Sequence, residues 1–393
     1  IMKYKPDQIQ THEIKDATLE KGKFTKKVVH VAAGAPVKTN DTGEGYEQGS
    51  IWVDSSNGDM YICSDHSAEN STWLNMEGDD VNVPKMYGET LAWNYAGQPS
   101  NKETIERFSY SSPAAATDSG ELTTGRRNCG IGQFHTDDHG FTAGGMVQGP
   151  NTVLNQIGRF PFAATYDEAD VGEFSVASWF NATCSDKTYG WVAGGVIGPT
   201  STSTNRIEKV TFGSPAPSSD IGEQTLAWQN QAGISDINND RAFFVGGMVQ
   251  DPGAGVKTDT IEYIPFTHTS GGATDWGNLT AVNRMAASSL TPTDGWVTGG
   301  ITPASDGIND RIEKYSFSSP GDTSDTAELS GVTRDHAGNS SATDGFIAGG
   351  HVNPGTGTAE TGDIDKFSFS APSNSADYGE LTETKHSCSP ADS

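Results

Sequence analysis

The sequence predicts an all-β protein whose larger part is a six-bladed β-propeller with four-stranded blades, closed by its carboxyl-terminal strand. Three observations predict it: a glycine-paired string recurs at near-constant spacing, a second apolar string follows every copy, and a third follows that. The first string reads GFTAGG at 140–145, GWVAGG at 190–195, AFFVGG at 242–247, GWVTGG at 295–300 and GFIAGG at 345–350, with a degenerate copy, WNYAGQ, at 93–98. The second reads IERFSY from 105, IGRFPF from 157, IEKVTF from 207, IEYIPF from 261, IEKYSF from 312 and IDKFSF from 364, at spacings of 52, 50, 54, 51 and 52 residues. The third reads GELTT from 120, GEFSV from 172, GEQTL from 222, GNLTA from 277, AELSG from 327 and GELTE from 379. A small-residue strand then leads back to the paired glycines, as in RMAASSLTPTDG (284–295) and RDHAGNSSATDG (334–345).

Each element has a physical rationale. In IEKYSF, alternation puts Ile312 on one face and Tyr315 and Phe317 on the other, as a strand buried between two blades requires. Thr-Asp-Gly at 293–295 and 343–345 predicts a tight hairpin in which glycine takes up positive φ. The paired glycines turn the chain and permit close backbone approach near the crowded axis. The first blade begins at its glycine-paired strand near Trp93 and lacks a preceding small strand, so KHSCSPADS (385–393) is expected to supply it and remove an open edge. GETLAWNYAG (88–97) also resembles GEQTLAWQNQAG (222–233), which leaves the register of the first blade open by one element.

Composition narrows the function classes. Only 34% of the 393 residues are hydrophobic and no run approaches the roughly 18 apolar residues of a membrane span, so no membrane insertion is expected. A net charge of −26 disfavours nonspecific binding to nucleic acid or an anionic membrane. Residues 1–30 differ in character, with seven lysines (Lys3, Lys5, Lys15, Lys21, Lys23, Lys26, Lys27) against four acids, as suits a docking arm. The decapeptide IMKYKPDQIQ has no apolar core of a signal-peptide kind, so none is expected. Cys63, Cys129, Cys184 and Cys388 lie far apart without CxxC spacing and are expected to be free thiols.

The glycine-paired strand, the aromatic strand after it and the arginines that begin the small strand (Arg127, Arg284, Arg334) together resemble the kelch repeat. The resemblance covers about three quarters of the chain and implies four-stranded blades closed by the carboxyl-terminal strand. The Tyr and Trp that kelch repeats carry at fixed spacing are missing, so the chain is kelch-like. A second resemblance lies in GSIWVDSSNGDMYICSDHSAENSTWLNM (49–76), which is similar to a short β-module of bacteriophage tail-fibre and other virion appendage proteins. Read from its residues it is a hairpin, with Ile51, Val53, Tyr61 and Cys63 alternating about an Asn57-Gly58 turn and Trp73 capping the apolar face.

Signals for chemistry are sparse. Only His135 and His139 lie four apart, in a stretch read as a solvated turn, so no metal and no cofactor are expected. No GxSxG elbow, P-loop or zinc-hydrolase motif occurs. The acids that recur at equivalent positions, such as Glu208, Glu262 and Glu313, read as architectural, and no catalytic residue is assigned. Binding is the better expectation. The segments between the glycine pairs and the second strings are long and variable, and would share one face of a rigid scaffold. They carry Gln148, Asn151, Asn155, Asn205, Asp259, Asn309, Asp310 and Asp363, hydrogen-bonding groups suited to a sugar-like ligand.

The expected organisation is an extended attachment arm (1–42), a small β-hairpin module (43–86) and the propeller (87–393). The expected function is a non-enzymatic virion structural protein of tail-fibre, spike or capsid-decoration type. It would contact other virion proteins through residues 1–86, be oligomeric on the particle, and use the propeller to bind a host-surface glycan or protein. The alternative is a secreted or surface lectin or glycan hydrolase of cellular origin.

Overall fold

The computed structural model describes residues 29–37, 40, 45–55, 59–66, 71–75, 86–149, 151–163, 166–198, 201–215, 217–249, 256–302, 307–352 and 359–393. The chain is all-β: every regular element among the described residues is a strand, and all but one of the paired strands run antiparallel. It divides into two compact units, residues 1–83 and 84–393.

In the smaller unit, β1 (Val29–Ala32), β2 (Ile51–Asp54), β3 (Met60–Asp65) and β4 (Thr72–Asn75) form one sheet in chain order, with β1 parallel to β2. β1 therefore falls within the stretch expected to be an extended arm. Trp52 stands opposite Tyr61 and Cys63 opposite Trp73. Directly opposed residues point to the same face, so Trp52, Tyr61, Cys63 and Trp73 share the buried side with Tyr46. Their rings meet largely edge to face, Tyr46 to Trp73 at 5.3 Å and Trp52 to Trp73 at 5.9 Å. The sequence reading grouped Ile51 and Val53 with Tyr61. The register corrects this and places them half-buried on the reverse face, opposite Ile62 and Met60. The Asn57-Gly58 turn and the seven arm lysines lie outside the described residues.

The larger unit contains six sheets that repeat one pattern. The first orders Ser389–Asp392, Leu91–Tyr95, Thr104–Ser109 and Thr117–Glu121. The third orders Ala182–Ser185, Tyr189–Ala193, Arg206–Thr211 and Ser219–Glu223. The fourth follows with Ala232–Asp236, Arg241–Val245, Thr260–Pro265 and Thr274–Asn278, and the fifth with Ala287–Leu290, Asp294–Thr298, Arg311–Ser316 and Ser324–Glu328. The sixth comprises Ala337–Ser340, Asp344–Ala348, Asp363–Ser368 and Ala376–Glu380. The second has three regular strands, His139–Ala143, Gln156–Pro161 and Ala169–Glu173; residues 131–135 run along its inner edge, where Phe141 N donates to Phe134 O at 2.9 Å. The carboxyl-terminal strand completes the first sheet with Ala391 opposite Trp93, and Trp93 opposite Arg107 removes the register ambiguity.

Two closed circuits of backbone hydrogen bonds join the six sheets. The second residue of each glycine pair donates its N–H to the start of the next inner segment: Gly97 to Arg126, Gly145 to Ser178, Gly195 to Trp228, Gly247 to Asn283, Gly300 to Thr333 and Gly350 to Lys385, at 2.7 to 3.0 Å. Both positions of every pair have positive φ, for example 57° at Gly299 and 102° at Gly300, which is why glycine recurs there. The degenerate pair keeps the geometry with Ala96 at 61°. Two residues after each acceptor stands another left-handed residue: Asn128, Phe180, Asn230, Met285, Asp335 and Ser387. Each donates its N–H to the carbonyl of its counterpart in the preceding sheet, and Asn128 donates to Ser387, so that six bonds of 2.6 to 3.2 Å form a closed loop.

Side chains repeat the pattern. The Ser or Thr of each third string donates to a carboxylate of the following sheet: Ser175 to Glu208, Thr225 to Glu262, Thr280 to Glu313, Ser330 to Asp365 and Thr382 to Glu106. In the second sheet Gly158 stands where the acid would be, and Glu168 reaches into the space, accepting from Thr123 N and Oγ1. The recurring acids thus tie neighbouring sheets together. The apolar faces do the same, since Ile312 packs with Trp296, Ile347 and Phe367 while Tyr315, on the same strand, and Phe317, just after it, pack with Ile234 and Phe243.

One glycine reading is corrected. Gly295 and Gly345 do not have positive φ; a Cβ at either would strike the ring of its cross-strand partner, Tyr315 at 2.5 Å or Phe367 at 2.3 Å. Glycine is required there by an aromatic ring lying over the strand, not by the turn. The boundary also shifts from its expected place, because Met86 packs in the core with Ile234 and Leu290, and Gly88 N donates to Ser340 O at 2.7 Å.

Candidate functional site

Four of the six segments after the glycine pairs begin and end, among the described residues, in two-residue strands that pair as hairpins. Met146–Val147 pairs with Thr152–Val153, Val196–Ile197 with Thr202–Ser203, Met248–Val249 with Val256–Lys257, and His351–Val352 with Ala359–Glu360. Each is anchored beside the left-handed circuit, for instance through the pairing of Arg334 with His351 and of Arg127 with Met146. The hairpins therefore gather at one end of the inner strands, around the circuit. Met86 lies by the other end, near Leu290.

The eight residues expected to bind a ligand divide into three groups. Asn155, Asn205, Asp259 and Asp310 occupy one repeated position, where each main-chain carbonyl accepts an N–H from the residue after an outer strand (Phe174, Gln224, Leu279 and Leu329) at 2.6 to 2.7 Å. Asn309 is buried, its Oδ1 accepting from Arg311 N at 3.1 Å, and the carbonyl of exposed Asp363 accepts from Gly349 N at 3.0 Å. Gln148 and Asn151 are exposed on the Met146–Val153 hairpin, where Asn101 clamps the Gln148 main chain through two bonds of 2.7 and 2.9 Å. The repeat uses the main-chain carbonyls of four of the eight, and the side chains of Gln148, Asn151 and Asp363 stand exposed.

Arg127, Arg284 and Arg334, which begin the small strands, flank the circuit. Arg284 and Arg334 each bring Nη1 to 3.6 Å from Met285 Sδ, and Arg127 lies 5.9 Å from the Trp179 ring, which stacks on Phe180 at 4.2 Å.

A second cluster at this end was not assigned from the sequence. His351, Glu360 and His386 bring one donor atom each to within 4.8 Å of one another. The two imidazoles stack at 3.5 Å, and Glu360 Oε1 lies 3.9 Å from both His351 Nε2 and His386 Nδ1. Asp335 Oδ2 stands 3.7 Å from His351 Nδ1 and also 3.7 Å from Arg334 Nη1. Burial, then the neighbouring His351, holds the His386 imidazole down to a pKa of about 4, so it is neutral at pH 7. Sequence separations of 9 and 26 residues hide this group, because hairpin pairing and the return of the chain end bring it together.

His135, read as part of a solvated turn, is fully buried; desolvation, with Lys187 second, depresses its pKa to about 3. Four cysteines, Cys63, Cys129, Cys184 and Cys388, are free and buried, and burial raises each thiol pKa, so none is an activated thiolate. At the opposite end, an open groove of about 420 Å³ is lined by Asp137, Asp138, His139, Arg159 and Lys187, with Lys187 paired to Asp137 at 2.9 Å. Compared with known proteins, the chain matches no family model and no curated protein.

Proposed function

We propose that this chain is a non-enzymatic structural protein of a virion, in which residues 84–393 form a six-bladed, kelch-like propeller that displays hairpins for adhesion to a host surface. The observation that carries the reading is the double circuit of inter-sheet hydrogen bonds, which returns to its starting sheet after six steps. A closed ring has no free edge to recruit further strands and holds its hairpins on a rigid support. The separate unit of residues 1–83, with its Trp52–Trp73 core, is the attachment module in this reading. Its partners are other virion proteins, and Gln148 and Asn151 are among the side chains that would meet a host glycan or protein.

Deleting residues 1–83 tests the division of labour. The remaining chain is expected to stay folded by circular dichroism and to be lost from assembled particles; its continued incorporation would refute the attachment role. A glycan array on the full chain, run beside a panel of glycosidase substrates, tests adhesion, and turnover of any substrate would sink the non-enzymatic reading.

A further inference from the structure

We propose that His351 Nε2, His386 Nδ1 and Glu360 Oε1 bind one divalent first-row transition-metal ion, zinc in the first instance, as a clasp on the carboxyl-terminal segment. Zinc takes nitrogen and oxygen ligands at about 2.0–2.2 Å in tetrahedral geometry, which sets ligand atoms roughly 3.3–3.5 Å apart. The carboxylate oxygen lies 3.9 Å from each imidazole nitrogen and all three donors lie within 4.8 Å of one another, so closing on one ion takes a tilt of the stacked rings that turns both in-plane lone pairs toward it.

The donors are held in place by the fold. His386 exchanges backbone hydrogen bonds with Gln98, N to O at 3.1 Å and O to N at 2.8 Å, and His351 and Glu360 are directly paired across their hairpin. His386 is about 95% buried, and its Nδ1 has no hydrogen-bond partner, an expense a bound cation would remove. The other nitrogen of His351 lies 3.7 Å from Asp335 Oδ2 without a hydrogen bond, and the same tilt of the ring that admits the ion would close it into the contact by which a carboxylate orients a ligating imidazole. Two imidazoles and one carboxylate favour zinc, copper or nickel over calcium and magnesium, which select oxygen. Glu360 is one-third exposed, so an ion can reach the group from solvent.

The position gives the ion a task. His386 lies three residues before Ser389–Asp392, the strand that completes the first sheet, whereas His351 and Glu360 belong to the hairpin of the sixth. A metal bridging them resists peeling of the chain end.

The test titrates the chelator-stripped full chain with zinc sulfate by calorimetry and by thermal unfolding, with cobalt(II) absorption reporting coordination. One zinc per chain and a raised Tm are expected. H351A and H386A should each weaken binding at least about tenfold, and Asp335→Asn by about 10- to 100-fold. Metal-free circular dichroism and Tm confirm that each variant is folded, with His386→Gln and His351→Gln as substitutes for a variant that is not. An absence of zinc binding at micromolar concentrations overturns the proposal. So does unchanged zinc affinity in the folded double variant, or an equal Tm shift with calcium.

Discussion

The first and fifth sheets arise from the same three strings, yet their joints are built differently. In the fifth, Glu313 accepts neutral donors, Thr280 N at 3.1 Å, Thr323 Oγ1 at 2.8 Å and the Thr280 hydroxyl, with Arg311 at the partly exposed rim. The first sheet, which alone draws strands from both ends of the unit, has a fully buried ion pair at each joint: Lys385 with Glu106 toward the sixth sheet and Arg126 with Glu168 toward the second. Lys385 and Arg126 are equivalent positions, each two residues before a member of the left-handed circuit. Within a contiguous sheet, short turns set the register. Where the last strand arrives almost 300 residues after its partner, a misplaced register would strand a buried charge, at several kcal/mol. The difference teaches that buried charge marks both joints of the sheet that takes in the chain end, at the closure through Lys385 and Glu106 and at the next joint, which the chain crosses directly, through Arg126 and Glu168.

Breaking the buried pair should have the largest effect. Lys385→Met is expected to cost about 3–5 kcal/mol in denaturant unfolding because it leaves Glu106 buried and unpaired, and adding Glu106→Gln should recover part of that loss. A single-variant loss under about 1 kcal/mol would erase the distinction between the two sheets.

The closing strand also has a pH signature. Asp392 is buried against Tyr110 Oη, Asn339 Nδ2 at 2.8 Å and Ser340 N at 3.3 Å, and desolvation lifts its pKa to about 7. Its pKa is higher folded than unfolded, so the folded state binds the extra proton. The associated stability is full below about pH 4, is lost as pH rises through about 7, and amounts to a few kcal/mol. Asp392→Asn should flatten the wild-type decline in stability between pH 4 and 7; an identical pH profile in the variant would locate the titration elsewhere.

In the fifth sheet, Thr280→Val removes one hydroxyl donor from a carboxylate that keeps its others, with an expected loss of about 1–2 kcal/mol. A cost matching Lys385→Met would show that both joints work alike. The smallest effect belongs to the surface: Asn151→Gly, at an exposed left-handed position of φ 53°, should change stability by less than about 0.5 kcal/mol. If Asn151 serves adhesion, the same variant loses host-surface binding while remaining fully folded.

Much of the sheet pattern was legible. The second strings carry strand alternation, and counting strands assigned residues 385–393 to the first sheet, because one repeat lacked a member that only the chain end could provide. The recurrence of Glu208, Glu262 and Glu313 pointed to architecture, and each is bonded to the hydroxyl of a preceding third string. The candidate site was far less legible. Asn155, Asn205, Asp259 and Asp310 looked like recognition residues because they are polar and precede strands, but the repeat uses their carbonyls. The His351, Glu360 and His386 group shows no local spacing, so motif reading passes over it.

By itself, then, the sequence determined the period, the strand content and the need for glycine at the paired positions, since these depend on local sterics and on alternation within a few residues. Only the tertiary structure decided why Gly295 and Gly345 are glycines, which carboxylate fills the gap at Gly158, and which imidazoles meet beside the circuit. Those outcomes depend on side chains from different repeats sharing one volume. Contacts of that kind are set when sheets pack, not by the order of residues along any one strand.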